Sequence, residues 1–191
     1  MTTHEIPTDL LTAVAMTASN EQTRYYICGV YVDAAGYIVA TDGHQMTVAS
    51  IACGSAIDAT LSCIIPNDAI ANALKIHKKD ATLTLARNGD DWTLGCIPFT
   101  PVNGQYPPWR NVMPEEPSNE PGHYDAAKVA TLAKQAKALG FKSNAPLICQ
   151  SGLAPAPVSF VHRDDIIGVI MPIRASNDAP YNRSSWTRTV D

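Results

Sequence analysis

Apolar and polar positions alternate most regularly between Arg24 and Ser50, in the stretch RYYICGVYVDAAGYIVATDGHQMTVAS. The alternation predicts three short strands, broken at Asp33–Gly36 and again at Asp42–Gly43. Tyr26, Val30 and Val32 lie two apart and are expected to share one face. The Asp42-Gly43 pair, with Val39 before it and Met46 and Val48 after it, is a short-range hairpin signal.

Around this stretch one pattern recurs three times: a helix, then strands, then an exit containing proline. The first helix is expected from Pro7–Thr8, capped by Thr8 or Asp9, with Leu10, Leu11, Val14 and Ala18 as its apolar stripe. Its other face, Thr12, Ala15 and Ser19, carries no charge. The second unit opens with a strand over 61–66 and a helix over 66–79, with Asn67 or Asp68 as cap. Ile70, Ala73, Leu74 and His77 fall on one side of that helix. Lys75 and Lys79 fall roughly opposite, with Lys78 on the flank. Strands follow over 81–87 and 92–97, joined by a turn at Asn88-Gly89-Asp90-Asp91. The stretch PVNGQYPPWRNVMP has too many prolines to be helix or central strand throughout.

Residues 115–122 read as a linker. The third helix runs from a cap at Asp125 to a stop at Gly140, with Val129, Leu132, Ala136 and Leu139 as buried stripe. Lys134 lies nearly opposite, flanked by Lys137. Strands are expected over 146–150, 158–162 and 166–174, the last apolar enough to be buried on both faces up to Pro172. The organisation is therefore two units over 1–114, a linker at 115–122, one unit over 123–175 and a polar tail over 176–191. Tyr181 and Trp186 in the tail are read either as disordered or as docking on a neighbouring subunit or a groove.

Composition narrows the reading only a little. The 191 residues are 46% hydrophobic and 17% charged, with a net charge of −4. That argues against coating nucleic acid with the whole surface but leaves room for a local basic face. The five cysteines, Cys28, Cys53, Cys63, Cys96 and Cys149, have no metal-ligand spacing and read as buried free thiols. With no apolar run long enough to span a bilayer and no leader-like start, a cytoplasmic protein is expected. No metal or cofactor is implied. His44 beside Asp42 invites an acid–base reading, but the turn accounts for both, and no catalytic residue is assigned. A hydrolase using His44 is a remote alternative.

Four stretches carry a resemblance: RYYICG, VATDGHQM, PVNGQYPPWRNVMP and GVIMPIR, in that order. Together they resemble the bacterial DNA polymerase III beta subunit, the beta sliding clamp, over roughly residues 5–175. The resemblance implies an α+β DNA clamp fold, repeated helix-plus-antiparallel-strand modules with helices on one face of curved sheets. It matches the middle domain and the last module of the final domain, three modules in place of six. A ring of twelve modules would then need four chains, so a homo-oligomer, with a tetramer favoured, is expected. An odd module count is expected to leave one module without a sheet partner within its own chain, so that its edge must find another chain.

By the same resemblance the lysine-bearing helix faces, which by default are merely solvated, become the lining of a hole around double-stranded DNA. The residues implied are Lys75, Lys78, Lys79, Lys128, Lys134, Lys137 and Lys142. A hydrophobic groove for short peptides of DNA polymerase or recombination proteins is implied at Ile27, Thr41, Gly43, His44, Gln45, Met46, Val169, Ile170, Met171, Pro172, Ile173 and Arg174. Gln45 stands where the family usually has Arg, removing a charge at the rim. Strand alternation leaves core packing as an equal reading for Val169 and Ile170. The expected function is a clamp-like processivity or tethering factor in DNA replication or recombination, of phage or prophage type. The alternative is a clamp-derived adaptor or decoy that binds peptides without encircling DNA.

Overall fold

The structure, a computed structural model, describes residues 1–114, 116–142 and 146–174. The expected tail, with Tyr181 and Trp186, lies outside the described residues.

The elements run β1 (Thr2–Pro7), α1 (Thr8–Ala15), β2 (Gly29–Asp33), β3 (Tyr37–Thr41), β4 (Gln45–Ser50), β5 (Cys63–Pro66), α2 (Asn67–Ile76), β6 (Thr82–Asn88), β7 (Asp91–Leu94), β8 (Ile97–Phe99), α3 (Ala126–Ala138), β9 (Leu147–Ile148), β10 (Ala156–Phe160) and β11 (Arg163–Ile170). They form a four-stranded sheet, β1-β6-β7-β8, and a seven-stranded one, β5-β2-β3-β4-β11-β10-β9. Every pairing is antiparallel.

The three strands expected between Arg24 and Ser50 are present as β2, β3 and β4. Arg24 to Ile27 instead belongs to a 3-10 segment over Gln22–Ile27, so Tyr26 does not share the inward face of Val30 and Val32. β1 is an element the periodicity did not announce. It is an edge strand whose alternation is weak, held by pairing with β6 from Thr2↔Arg87 to Pro7↔Thr82.

The capping positions of α1 and α2 are Pro7 and Pro66, which have no side-chain acceptor to cap with. Asp9 and Asp68 in the first turns accept from the N–H groups of Leu10 at 2.8 Å and Ala69 at 2.9 Å. The Thr8 N–H donates to Ala81 O, and Asn67 Nδ2 donates to Ser19 O, so each helix start is tied to a neighbouring segment. α3 is capped as expected, Asp125 accepting from the Ala127 N–H at 2.7 Å.

The third unit does not lack an intrachain sheet partner. β11 pairs with β4 from Ile166↔Ala49 to Ile170↔Gln45, and Met171 N continues the ladder to His44 O at 2.8 Å. One sheet therefore runs from the first unit into the third, and that expectation is corrected. The physical reason is that β4 is a full-length strand with an open edge facing β11. The second unit is joined to the first as well, β5 pairing with β2 and β6 pairing with β1.

Strand alternation divides two cores. Val30, Val32, Ile38, Ala40, Ala49, Ile166 and Ile170 face all three helices in the main core. Val39, Met46, Val48, Ile64 and Val169 face the other way, into a second core closed by Tyr106 and Trp109. β4 is thus buried on both faces.

α1 packs against both α2 and α3. The buried stripe of α3 is Leu132, Gln135, Ala136 and Leu139, and Val129 is 37% exposed. Gln135 replaces Val129 in the stripe because its amide has partners there. Its Nε2 lies 2.8 Å from Ala13 O, 2.7 Å from Thr17 Oγ1 and 2.9 Å from Thr47 Oγ1. Those contacts tie α3 to α1 and β4 at once. Truncating the amide would leave the Ala13 carbonyl without this donor and the Thr17 and Thr47 hydroxyls with only each other, 2.8 Å apart. Gln135→Ala is therefore expected to lower unfolding free energy by about 2–3 kcal/mol, read from urea denaturation against wild type. A change within experimental scatter would remove the network from the account.

Candidate functional site

The groove forms where β4 and β11 meet. Its floor comes from the outward positions of these strands, Met46 and Val169, both nearly fully buried, joined by Ile27. Its volume is about 350 Å³. Thr41, Gly43, His44 and Gln45 line one end through the β3–β4 turn, and Met171, 41% exposed, lines the end of β11.

The turn is built by Asp42. Its Oδ1 accepts from the backbone N–H groups of His44 at 2.8 Å and Gln45 at 2.9 Å. Gly43 sits at φ +89, a backbone conformation that favours glycine, and the Arg24 guanidinium lies against the turn where a Cβ would be. Asp42 Oδ2 accepts from Lys128 Nζ of α3. Burial works to raise the Asp42 carboxyl, yet Lys128 and the two backbone N–H groups outweigh it and hold it below its ordinary 3.8.

The opposite wall is the segment after β8. Tyr106, Pro107, Pro108, Trp109, Asn111 and Val112 all line the groove. Tyr106 stacks on Tyr31 with ring centroids 4.9 Å apart. A 3-10 turn over Trp109–Val112 is pinned to the end of β2: Asp33 Oδ2 accepts from Trp109 Nε1 at 3.1 Å and from Arg110 Nη1 at 2.7 Å. The Arg110 guanidinium also lies over the Trp109 ring, 4.1 Å from its centroid. An apolar wall held by a partly buried ion pair is stiff, which suits a groove that must be ready before its ligand arrives.

Eight of the twelve residues named from sequence line this groove: Ile27, Thr41, Gly43, His44, Gln45, Met46, Val169 and Met171. Ile170 does not. It is fully buried in the main core, because alternation along β11 turns it inward with Ile166 while Val169 and Met171 turn outward. Pro172, Ile173 and Arg174 lie past the last paired residue and outside the lining; the Ile173 N–H donates to His123 O. Gln45 is 5% exposed, so it lies within the structure and not at the rim, and the cation at the groove's mouth is Arg24.

Sequence reasoning missed the proline-rich wall and Arg24. The signal was available in PVNGQYPPWRNVMP, whose aromatics have no helix or strand to bury them. Only the tertiary fold shows which face they cover.

Of the seven lysines, Lys75, Lys78, Lys79, Lys134, Lys137 and Lys142 are exposed and have no ion-pair partner among the described residues. Lys128 differs: it is half-buried and spends its charge on Asp42. Lys78 and Lys79 surround one shallow depression with Thr8, Asp9 and Thr12 of α1, Asp80 and Ala81 after α2, and Ala138 of α3, so two carboxylates share it. The end of α2 thus opens onto the same surface as the end of α3, where Lys137 precedes Ala138. These helices lie on the main-core side of the sheets, whereas the groove lies on the other side.

His44 contributes its backbone, and no nucleophile stands beside it. Of the cysteines only Cys63 is buried, and burial pushes its thiol up to about 12; Cys53 and Cys96 are exposed, so the expectation of buried thiols is corrected. No helix among the described residues is long and apolar enough to cross a membrane, and none of their acidic, histidine and cysteine side chains cluster as a metal site.

Lys128–Asp42 makes a pH prediction. The folded carboxyl is more acidic than an unfolded one, so its stabilisation is complete above the unfolded value, about 3.9, and is lost as pH falls through the folded value. Lys128→Met is expected to cost about 2 kcal/mol at pH 7 and much less at pH 2.5, by urea denaturation at both. An equal cost at both would show that the pair's charge is irrelevant.

Residues 4–94 match the family model of the DNA polymerase III beta subunit, central domain. The chain is 27% identical over 135 residues to the beta sliding clamp of Escherichia coli K12, a match covering 66% of this chain and 35% of that one. It thus spans about a third of the length of the curated relatives it matches. Among solved structures it superposes on the DNA polymerase III beta subunit of Bartonella birtlesii bound to griselimycin with a TM-score of 0.70 at 17% identity. On the beta sliding clamp of Caulobacter crescentus with polyethylene glycol bound, the score is 0.72 at 16% identity. Those superpositions cover 91% and 92% of this chain and 66% of each neighbour. The fold is that of a sliding clamp, α+β with antiparallel sheets, as the resemblance implied.

Proposed function

We propose that this clamp-like chain tethers DNA-processing proteins to duplex DNA, holding the DNA on its helical face and short partner peptides in the groove. The observation that carries the reading is the preformed apolar groove across the β4–β11 junction, with eight motif residues and an aromatic wall converging on it. Met, Val and Tyr surfaces suit aliphatic and aromatic anchors of an extended peptide. Six exposed lysines without an ion-pair partner among the described residues, with Lys78 and Lys79 beside α1 and α3, support contacts to phosphates, which carry no sequence information. Lys128 belongs to the internal ion pair and is left out of that set. No catalytic step is assigned to the chain.

Assembly belongs to the same reading. Three modules per chain make a homotetramer the simplest twelve-module ring. The sheet edges open to a second copy are β1 and β8 of the four-stranded sheet and β5 and β9 of the seven-stranded one. The organisation into 1–114, 115–122 and 123–175 is carried forward as part of this reading. A role in replication or recombination, a cytoplasmic site of action and a phage or prophage source complete it.

Two measurements test it. Anisotropy of labelled duplex DNA across salt is expected to show steep loss of affinity, with log K falling linearly in log salt. Lys75→Glu with Lys134→Glu is expected to weaken binding at least tenfold, and binding that ignores both salt and charge reversal would defeat the DNA reading. For the groove, Trp109 is the reporter: a short peptide with two adjacent aliphatic or aromatic anchors is expected to shift its fluorescence. Met171→Glu, at an exposed groove position, is expected to abolish that shift with the fold intact. Peptide binding without DNA binding would favour the adaptor reading.

A further inference from the structure

His77, at the end of α2, joins Cys96, which the groove and the lysine face leave unused, to Asp80, which also lines the depression beside Lys78 and Lys79. Its Nδ1 lies 2.7 Å from Asp80 Oδ2, and its Nε2 lies 3.3 Å from the Sγ of Cys96 on the turn between β7 and β8. The Cys96 N–H also points at Nε2, 3.4 Å away. A carboxylate can only accept, so Nδ1 carries the ring proton and Nε2 is left as the acceptor facing the thiol.

Two further features fit this arrangement. Gly95 sits at φ +58, and a Cβ there would lie 2.7 Å from His77 Nε2, so only glycine lets the turn press Cys96 onto the imidazole. Cys96 is exposed, so a reagent can reach it. Asp80 is the charged group in direct contact with the pair, and the exposed Lys75, Lys78 and Lys79 belong to the same stretch of chain as His77. A shared metal ion does not fit, because the thiol and the carboxylate occupy opposite ring nitrogens.

We infer that Cys96 is a reactive thiol, activated by His77 and oriented through Asp80, that takes up low-molecular-weight disulfides as a mixed disulfide. Nε2 accepts the thiol proton and the Cys96 thiolate attacks one sulfur of the small disulfide. A new S–S bond forms as the old one breaks, and the departing thiolate takes the proton back from the imidazolium. One protein thiol and one disulfide give one mixed disulfide and one small thiol, so no other oxidant is needed. Asp80 is a positioning residue: it holds the ring tautomer and supports the transient imidazolium. The adduct would stand directly before β8, an edge of the four-stranded sheet.

The test uses the full chain and the aromatic disulfide DTNB, with exposed Cys53 as internal reference. At pH 6.5 Cys96 is expected to react about tenfold or more faster than Cys53, in a phase that Cys96→Ser removes. His77→Ala is expected to bring that phase to the rate of Cys53 and to move its pH profile up to that of an ordinary thiol, about 8.5. Asp80→Asn, on the surface, is expected to slow it severalfold while leaving the circular dichroism unchanged, and it decides the matter if His77→Ala does not fold. Equal rates and pH profiles for Cys96 and Cys53, or a fast phase indifferent to Asp80→Asn, would overturn the inference.

Discussion

The pairing of β11 with β4, from Ile166↔Ala49 to Ile170↔Gln45, is the junction on which the remaining architecture depends. It carries a single sheet from the first unit to the third, and it gives each of the two strands a face toward the helices and a face toward the groove. Because both faces are apolar, neither strand can be withdrawn without exposing two cores at once. The ladder continues past the strand through Met171 N to His44 O, so the β3–β4 turn and the end of β11 are held at one fixed spacing. That spacing sets the length of the groove.

Polar groups add direction to the apolar packing. Gln135 reaches α1 and β4 from α3, and Lys128, two turns earlier on the same helix, reaches the turn that opens the groove. α3 is thus oriented along one face by a buried amide near its C-terminal end and a half-buried ion pair near its N-terminal end. Asp33 plays the matching part on the far wall, fixing Trp109 and Arg110 to the end of β2. Burial works against the ionised form of both carboxylates. In each case the donors around it prevail and hold the carboxyl below its ordinary value.

Much of this was legible in the sequence because the signals were local. Alternation gave β2 to β4, the Asp42-Gly43 pair gave their turn, and helical periodicity gave α1 to α3 with the Asp125 cap. Eight groove residues followed from motifs in order. What escaped was nonlocal. β1 alternates too weakly to declare itself, and it is a strand only because β6 lies beside it. Gln135 looked like a surface residue, and nothing nearby in the chain reveals the Thr17 and Thr47 hydroxyls that make its burial tolerable. Lys128 had the same signature as the other lysines, and only the tertiary position of Asp42 separates it from them. Ile170 and Val169 are neighbours of equal hydrophobicity, so their division between core and groove rests on register, which the composition of the strand does not encode.

The two-sided burial of β11 also bears on how this chain tolerates insertions and deletions. Removing or adding one residue between the turn at His162 and Met171 would rotate everything beyond it by half a pleat, sending Ile170 toward the groove and Val169 toward the helices. The peptide pocket and the helical platform would be damaged by the same event, since they are written on alternate letters of one segment. Length polymorphism should therefore be excluded from the segment between Ala156 and Met171, which should drift only by substitution.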